Sequence, residues 1–174
     1  MVRGRPNPRY LGLPVRLRKA RKAAGVTRRA LAQQAGGGNA IALYVETSQQ
    51  LPTVRTVARL ASALGVAAGW LAYGLGDMSA DGTAATTEGI GARLAEVRIA
   101  QGLTKAALAR AVKLTPAAVA NIEKGAQPGV EVLEALAKAL AVSPAWLAFS
   151  EGPRELPKRR RSVKSPTPPT SIHA

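Results

Sequence analysis

The chain has 174 residues and a formal net charge of +15, with 47% hydrophobic but only 3% aromatic residues and no cysteine. The lack of cysteine excludes disulfides and thiolate metal sites, and no apolar run approaches the roughly 18 to 20 residues that a membrane span needs. The charge excess points to an anionic partner, nucleic acid or an acidic surface. Much of the apolar content is alanine, the best helix former and a small core filler, so the composition leans all-α.

In chain order, residues 1–12 form a basic arm that carries Arg3 and Arg5, and no apolar signal core follows it. Gly25 then stops a first helix and Thr27 caps a second. After a GGGN turn, a third helix holds Ala42, Val45 and Glu46. Val57, Leu60, Ala61 and Leu64 follow the i, i+3, i+4, i+7 stripe of an amphipathic fourth helix. A short fifth carries Trp70 and Leu71. Residues 76–89 are small and polar and read as a flexible linker.

The same series then returns. A helix near Ile90–Gln101 stops at Gly102, and Thr104 caps the next through about Val112. Lys113 and Leu114 turn the chain. Thr115 caps a third helix with Pro116 in its first position, a strong start signal, and Val119 and Ile122 point inward. Leu133, Leu136, Ala137 and Leu140 mark the fourth helix; Ser143 and Pro144 start the fifth, with Trp146 and Leu147. Residues 151–174, rich in Pro, Ser and basic side chains, read as a disordered tail.

The recurrence is a duplication. VAAGWLAYG (66–74) faces VSPAWLAFS (142–150) at an offset of 76, and RLRKARKAAGVTRRALAQQ (16–34) faces RLAEVRIAQGLTKAALARA (93–111) at 77. The slip of one residue falls in the loop just before Pro52 and Pro128, where it leaves packed elements alone. Two copies of one small domain result, spanning 13–75 and 90–150. The two tryptophans are expected to plug the two cores from the last helices.

The segment GLTKAALARAVKLTPAAVANIEKG (102–125) resembles the helix-turn-helix of the Cro and phage-repressor (XRE-type) family through Gly102, Leu103, Thr104, Leu108, Ala109, Thr115, Val119, Ile122 and Glu123. The first copy resembles it through Gly25, Val26, Thr27, Leu31, Ala32, Ala42, Val45 and Glu46, and departs from it at the GGGN turn. The resemblance implies an all-α chain of two tandem five-helix, lambda-repressor-like domains with disordered basic termini. It implies that the third helix of a copy enters the major groove, which is wide enough for it. The family's reading positions map onto Asn39, Ala40 and Tyr44 in the first copy, and onto Pro116, Ala117, Ala120 and Asn121 in the second. Ile41 and Leu43 are then expected to be exposed as well. Arg28, Arg29 and Lys105, at the starts of the second helices, are expected to contact phosphate; Thr115 and Lys124 flank the second reading helix, and Arg3 and Arg5 resemble a minor-groove arm. The resemblance further implies structural ion pairs, Arg21 with Glu46 and Arg98 with Glu123, each 25 residues apart.

Charge is unequal between the copies. Residues 1–77 hold twelve basic against two acidic residues, 78–150 seven against six, and 151–174 six against two. The first copy with its arm is the electrostatic anchor, while the second carries the better motif. A linker of about twelve residues averages about 20 Å and reaches about 40 Å, enough for half-sites about 34 Å apart. One chain could therefore act as a covalent pseudo-dimer on an asymmetric site; a homodimer on a palindrome is the other arrangement.

The leading reading is a sequence-specific double-stranded DNA-binding transcriptional regulator, a repressor overlapping a promoter, cytoplasmic and of bacterial or phage origin. It needs no cofactor, metal, small-molecule ligand or membrane. The alternative is a protein-interaction module, an antitoxin or antiactivator that uses the same fold for partner contacts. Catalysis is not expected: the single histidine is His173, no carboxylates cluster, and the glycines at 36–38 lack the Lys-Ser/Thr of a phosphate loop.

Overall fold

The computed structural model describes residues 8–38, 40–79 and 86–156. Arg3, Arg5 and Asn39 lie outside them. Among the described residues the chain is all-helical. A 3-10 turn (Arg9–Gly12) precedes α1 (Leu13–Ala23), α2 (Arg28–Gln34), α3 (Ile41–Glu46), α4 (Val54–Leu64) and α5 (Ala68–Tyr73). The second series is α6 (Ile90–Ala100), α7 (Lys105–Ala111), α8 (Pro116–Glu123), α9 (Val130–Ala139) and α10 (Pro144–Phe149). No described helix is long and apolar enough to cross a membrane.

The helix boundaries follow local chemistry. The hydroxyls of Thr27, Thr104 and Thr115 accept hydrogen bonds from the amides of Ala30, Ala107 and Ala118, three residues on. Gly25 and Gly102 sit at φ +68° and +66°, the left-handed region in which a side chain would be strained. The amphipathic stripes close the two cores: Val57, Leu60 and Ala61 in α4, and Leu133, Leu136 and Ala137 in α9, are fully buried.

The two copies pack directly against each other, chiefly α5 on α10. Their contact has two-fold character, because equivalent residues of the copies touch. Val54 N–H donates to Pro128 O at 3.0 Å and Val130 N–H to Pro52 O at 3.1 Å, an antiparallel bridge centred on Thr53 and Gly129. The rings of Tyr73 and Phe149, also equivalent, lie 6.4 Å apart and tilted. A Cβ built on Gly69 would lie 2.6 Å from the Cβ of its counterpart Ala145. A residue can meet its own counterpart only at a two-fold axis, the signature of an isologous interface. Here both halves of that interface belong to one chain.

One sequence expectation is corrected here. The tryptophans do not plug the cores: Trp70 and Trp146 are half-buried, and the Arg154 guanidinium lies 5.2 Å from the Trp146 ring centroid. The aromatics that are fully enclosed are Tyr73 and Phe149, at the junction of the copies, because that junction removes a second face of α5 and α10 from water. Residues just after the first copy are held to it: Ala67 N–H donates to Met78 O at 3.0 Å, and the Met78 side chain packs on the core. Residues just after the second copy are held likewise, with Ser143 N–H donating to Arg154 O at 2.7 Å. Both segments satisfy the amide at the entrance of a fifth helix, the same task in each copy.

Candidate nucleic-acid interface

In each copy the second and third helices form a pair with one face in the core. Leu31, Ala32, Ala42 and Val45 are buried in the first copy, and Leu108, Ala109, Val119 and Ile122 in the second. The opposite face of the third helix is turned to solvent. On α3 it presents Leu43, 38% exposed, and Tyr44, 41% exposed. On α8 it presents Pro116, Ala117 and Asn121, with Ala120 half-buried and Lys124 exposed just beyond the helix. Ala40 is half-buried at the start of α3. Thr115 is exposed, its hydroxyl spent on capping α8. Ile41 departs from expectation: it is half-buried against the core. A Cβ at Gly37 would come within 2.9 Å of Ile41 Cγ2, so the glycine turn makes the room into which Ile41 folds.

An arginine–glutamate pair ties the first helix of each copy to its third. Arg21 Nε donates to Glu46 Oε1 at 2.5 Å and its Nη1 to Val26 O at 2.9 Å. Arg98 repeats the arrangement, with Nε 2.6 Å from Glu123 Oε1 and Nη1 2.8 Å from Leu103 O. Each guanidinium therefore fixes both the third helix and the turn before the second. Burial pushes both carboxyls up, but the hydrogen bonds from Arg21 and Arg28 to Glu46, and from Arg98 and Lys105 to Glu123, outweigh it. Both carboxyls are held below their ordinary value.

Arg28 and Lys105 have a role that spacing did not reveal. Arg28 Nε lies 2.8 Å from Glu46 Oε2, and Lys105 Nζ lies 3.4 Å from Glu123 Oε2. These equivalent side chains complete the coordination of the buried carboxylates, which partly neutralises the charge expected to face phosphate. Arg18 joins them with Nη2 donating to Glu46 O at 3.3 Å, and Arg59 donates to Gly36 O. Arg29, Lys19, Lys22 and Arg55 are exposed. The basic surplus of the first copy is thus divided between internal bracing and an outward fringe.

Arg16 and Arg93 brace rather than reach outward. Arg16 donates to Leu71 O at 2.8 Å and Ala72 O at 2.7 Å, and Arg93 to Leu147 O and Ala148 O, both at 3.1 Å. They satisfy carbonyls that the short α5 and α10 leave unbonded at their C-terminal ends. Burial pushes both guanidinium pKa values down; an arginine nonetheless stays charged at neutral pH. The signal for them was present, since Arg16 and Arg93 open the matching segments of the repeat.

A family model described as a helix-turn-helix domain matches residues 13–69, and a second, described as helix-turn-helix, matches residues 94–147. No solved structure matches the chain. Domains of this kind make the chain a DNA-binding regulator. With both matches falling on the paired helices just described, the chain belongs to the helix-turn-helix family of Cro and phage-repressor type and carries two of its domains in tandem.

Proposed function

We propose that the chain is a sequence-specific repressor of transcription that acts as a covalent pseudo-dimer on double-stranded DNA. α3 and α8 enter successive major grooves, and occupancy of a promoter blocks polymerase. The observation that carries this reading is the meeting of equivalent residues at the α5–α10 junction. A two-fold relation between domains relates their reading helices too, as half-sites on a duplex are related. Ala40, Tyr44, Pro116, Ala117 and Asn121 face base edges; Asn39, outside the described residues, is assigned to the same task from the sequence. Arg29 and Lys124 contact the sugar–phosphate backbone, and the arm residues Arg3 and Arg5 enter the minor groove. Thr115 sets the start of α8, while Arg28 and Lys105 reach phosphate only with the charge that their glutamates leave.

The test is the footprint and stoichiometry of the purified protein on DNA upstream of its own gene, repeated over a salt series. One chain protecting two unlike half-sites about 34 Å apart is the expected result. A palindrome bound by two chains would overturn the pseudo-dimer and keep the regulator. Binding without sequence preference that only fades with salt would overturn the regulator and favour a protein-interaction module. A charge reversal made for the same purpose should use Arg29 and Lys124. Reversing Arg28 would set a carboxylate beside buried Glu46 and damage the fold.

A further inference from the structure

We infer that the first copy reads its half-site through the 5-methyl groups of thymine, with Leu43 and Tyr44 as the contacting side chains. The inference rests on the DNA-binding reading above and specifies what the groove must present. The outward face of α3 is apolar where a reading helix commonly carries hydrogen-bonding side chains. Leu43 and Tyr44 are 38% and 41% exposed, and the next outward residue, Thr47, spends its hydroxyl on Leu43 O at 2.8 Å. Among these three side chains only the Tyr44 hydroxyl keeps a free donor for a base, and the Thr47 oxygen can only accept.

The surroundings decide what covers this face. Arg18 and Arg28, with 49% and 42% of their side chains exposed, flank Glu46 at the end of the same helix. Arg29 lies exposed at the start of the helix before it. An apolar protein partner would leave unbalanced the charge of Arg29 and the excess of Arg18, Arg21 and Arg28 over the single carboxylate of Glu46. A duplex supplies phosphates to the fringe and, in the floor of its major groove, one apolar group alone: the thymine methyl.

The second copy differs at the same positions. Where α3 has Leu43 and Tyr44, α8 has Ala120 and Asn121. Ala120 is half-buried and short, whereas the exposed Asn121 amide matches the N6 and N7 edge of adenine. The two half-sites therefore differ: Leu43 and Tyr44 meet one chiefly by apolar contact, while the other gains a hydrogen-bonding pair from Asn121 beside the apolar Pro116 and Ala117.

The test begins with the duplex enriched by the full-length protein from a random-sequence pool. Thymines are replaced by deoxyuridine in one half-site at a time, which removes the methyl and keeps base pairing and every hydrogen-bonding edge. Each contacted methyl lost from the first copy's half-site should weaken binding about fourfold. Leu43→Ala should bind the thymine and uracil forms equally at the position that Leu43 touches. Leu43 is exposed, so that variant keeps its core, and Asn121→Ala should leave the uracil effect unchanged. Equal affinity of the wild-type protein for both duplexes would overturn the inference while the regulator reading stands. So would a Leu43→Ala variant that weakens on both but retains the uracil effect. If no sequence is enriched, both readings fall together.

Discussion

The two copies share single hydrogen bonds, the caps at Thr27 and Thr104 and the pairs of Arg21 with Glu46 and Arg98 with Glu123, and differ in how their ends are finished. In the second copy Ser143 Oγ accepts from Trp146 N–H and caps α10 from within. In the first copy the equivalent residue is Ala67, which has no side chain to cap with, and the amides of Ala68 and Gly69 donate to Glu151 at 3.0 and 2.6 Å. The 3-10 turn at the start of the first copy is treated alike, with the amides of Arg9 and Tyr10 donating to Glu134 at 2.7 and 3.0 Å. Both carboxylates come from the less basic side of the chain and both serve the more basic copy. The symmetric contacts bring the copies together; these two carboxylates make the first copy depend on the second, while the Tyr73 hydroxyl, which Phe149 lacks, donates to Val130 O of the second at 3.2 Å. An asymmetric pair also disfavours exchange. Gly69 is the counterpart of Ala145, and two alanines there would collide.

The largest expected effect tests where the copies agree. Arg21→Ala and Arg98→Ala each leave a mostly buried carboxylate to its half-exposed second partner, Arg28 or Lys105, and each should cost about 3 kcal/mol in urea unfolding. Equal losses would mark the two pairs as one device used twice. The Arg21 variant should be the worse if burial decides, since the Glu46 side chain is 0% and that of Glu123 9% exposed. Next comes the axis. Gly69→Ala should destabilise by about 1–3 kcal/mol through overpacking, and adding Ala145→Gly should recover most of it. A variant as stable as the parent would mean that α5 and α10 are not in contact in solution.

Smaller effects probe where the copies differ. Glu151→Ala should cost about 1 kcal/mol, the usual worth of a lost helix cap. Adding Ala67→Ser should restore it by giving the first copy the device of the second. If Ser143→Ala cost nothing while Glu151→Ala cost more, the first copy's dependence on Glu151 would be sharpened. The smallest is a pH dependence. Glu46 and Glu123 are held below their ordinary value when folded, so their contribution is present above the unfolded-state value of about 4.3 and is lost as pH falls through the lower folded value. Glu46→Gln should flatten that acid limb more than any surface glutamate does. An unchanged slope between pH 5 and 3 would show that the Arg21 and Arg28 contacts do not persist in solution.

What could be read from residue order is local. Helix starts lie at Thr27, Thr104, Thr115 and Ser143, and stops at Gly25 and Gly102, because capping is decided within a few residues of the chain. The duplication, the all-helical class and the buried stripes of α4 and α9 were legible for the same reason. The pairing of Arg21 with Glu46 was reachable only through the family resemblance, since nothing in a spacing of 25 shows that two helices cross. The GGGN turn hid its effect on Ile41, because making room is a property of what lies opposite a glycine rather than of the glycine.

Tertiary structure alone decided the rest. Arg28 and Lys105 look like phosphate contacts until the carboxylate beside them is seen. Tyr73 and Phe149 look like minor partners of the tryptophans until α5 and α10 are brought together. Glu134 and Glu151 look like surface charge until the amides they cap, 124 and 82 residues distant or more, arrive beside them. Periodicity reports that a helix has an apolar face but not whether that face meets its own domain, a second chain or a second copy. The free energy of burial carries no direction, so the choice among them rests on shape and on which unpaired amides and carboxylates the fold brings within reach.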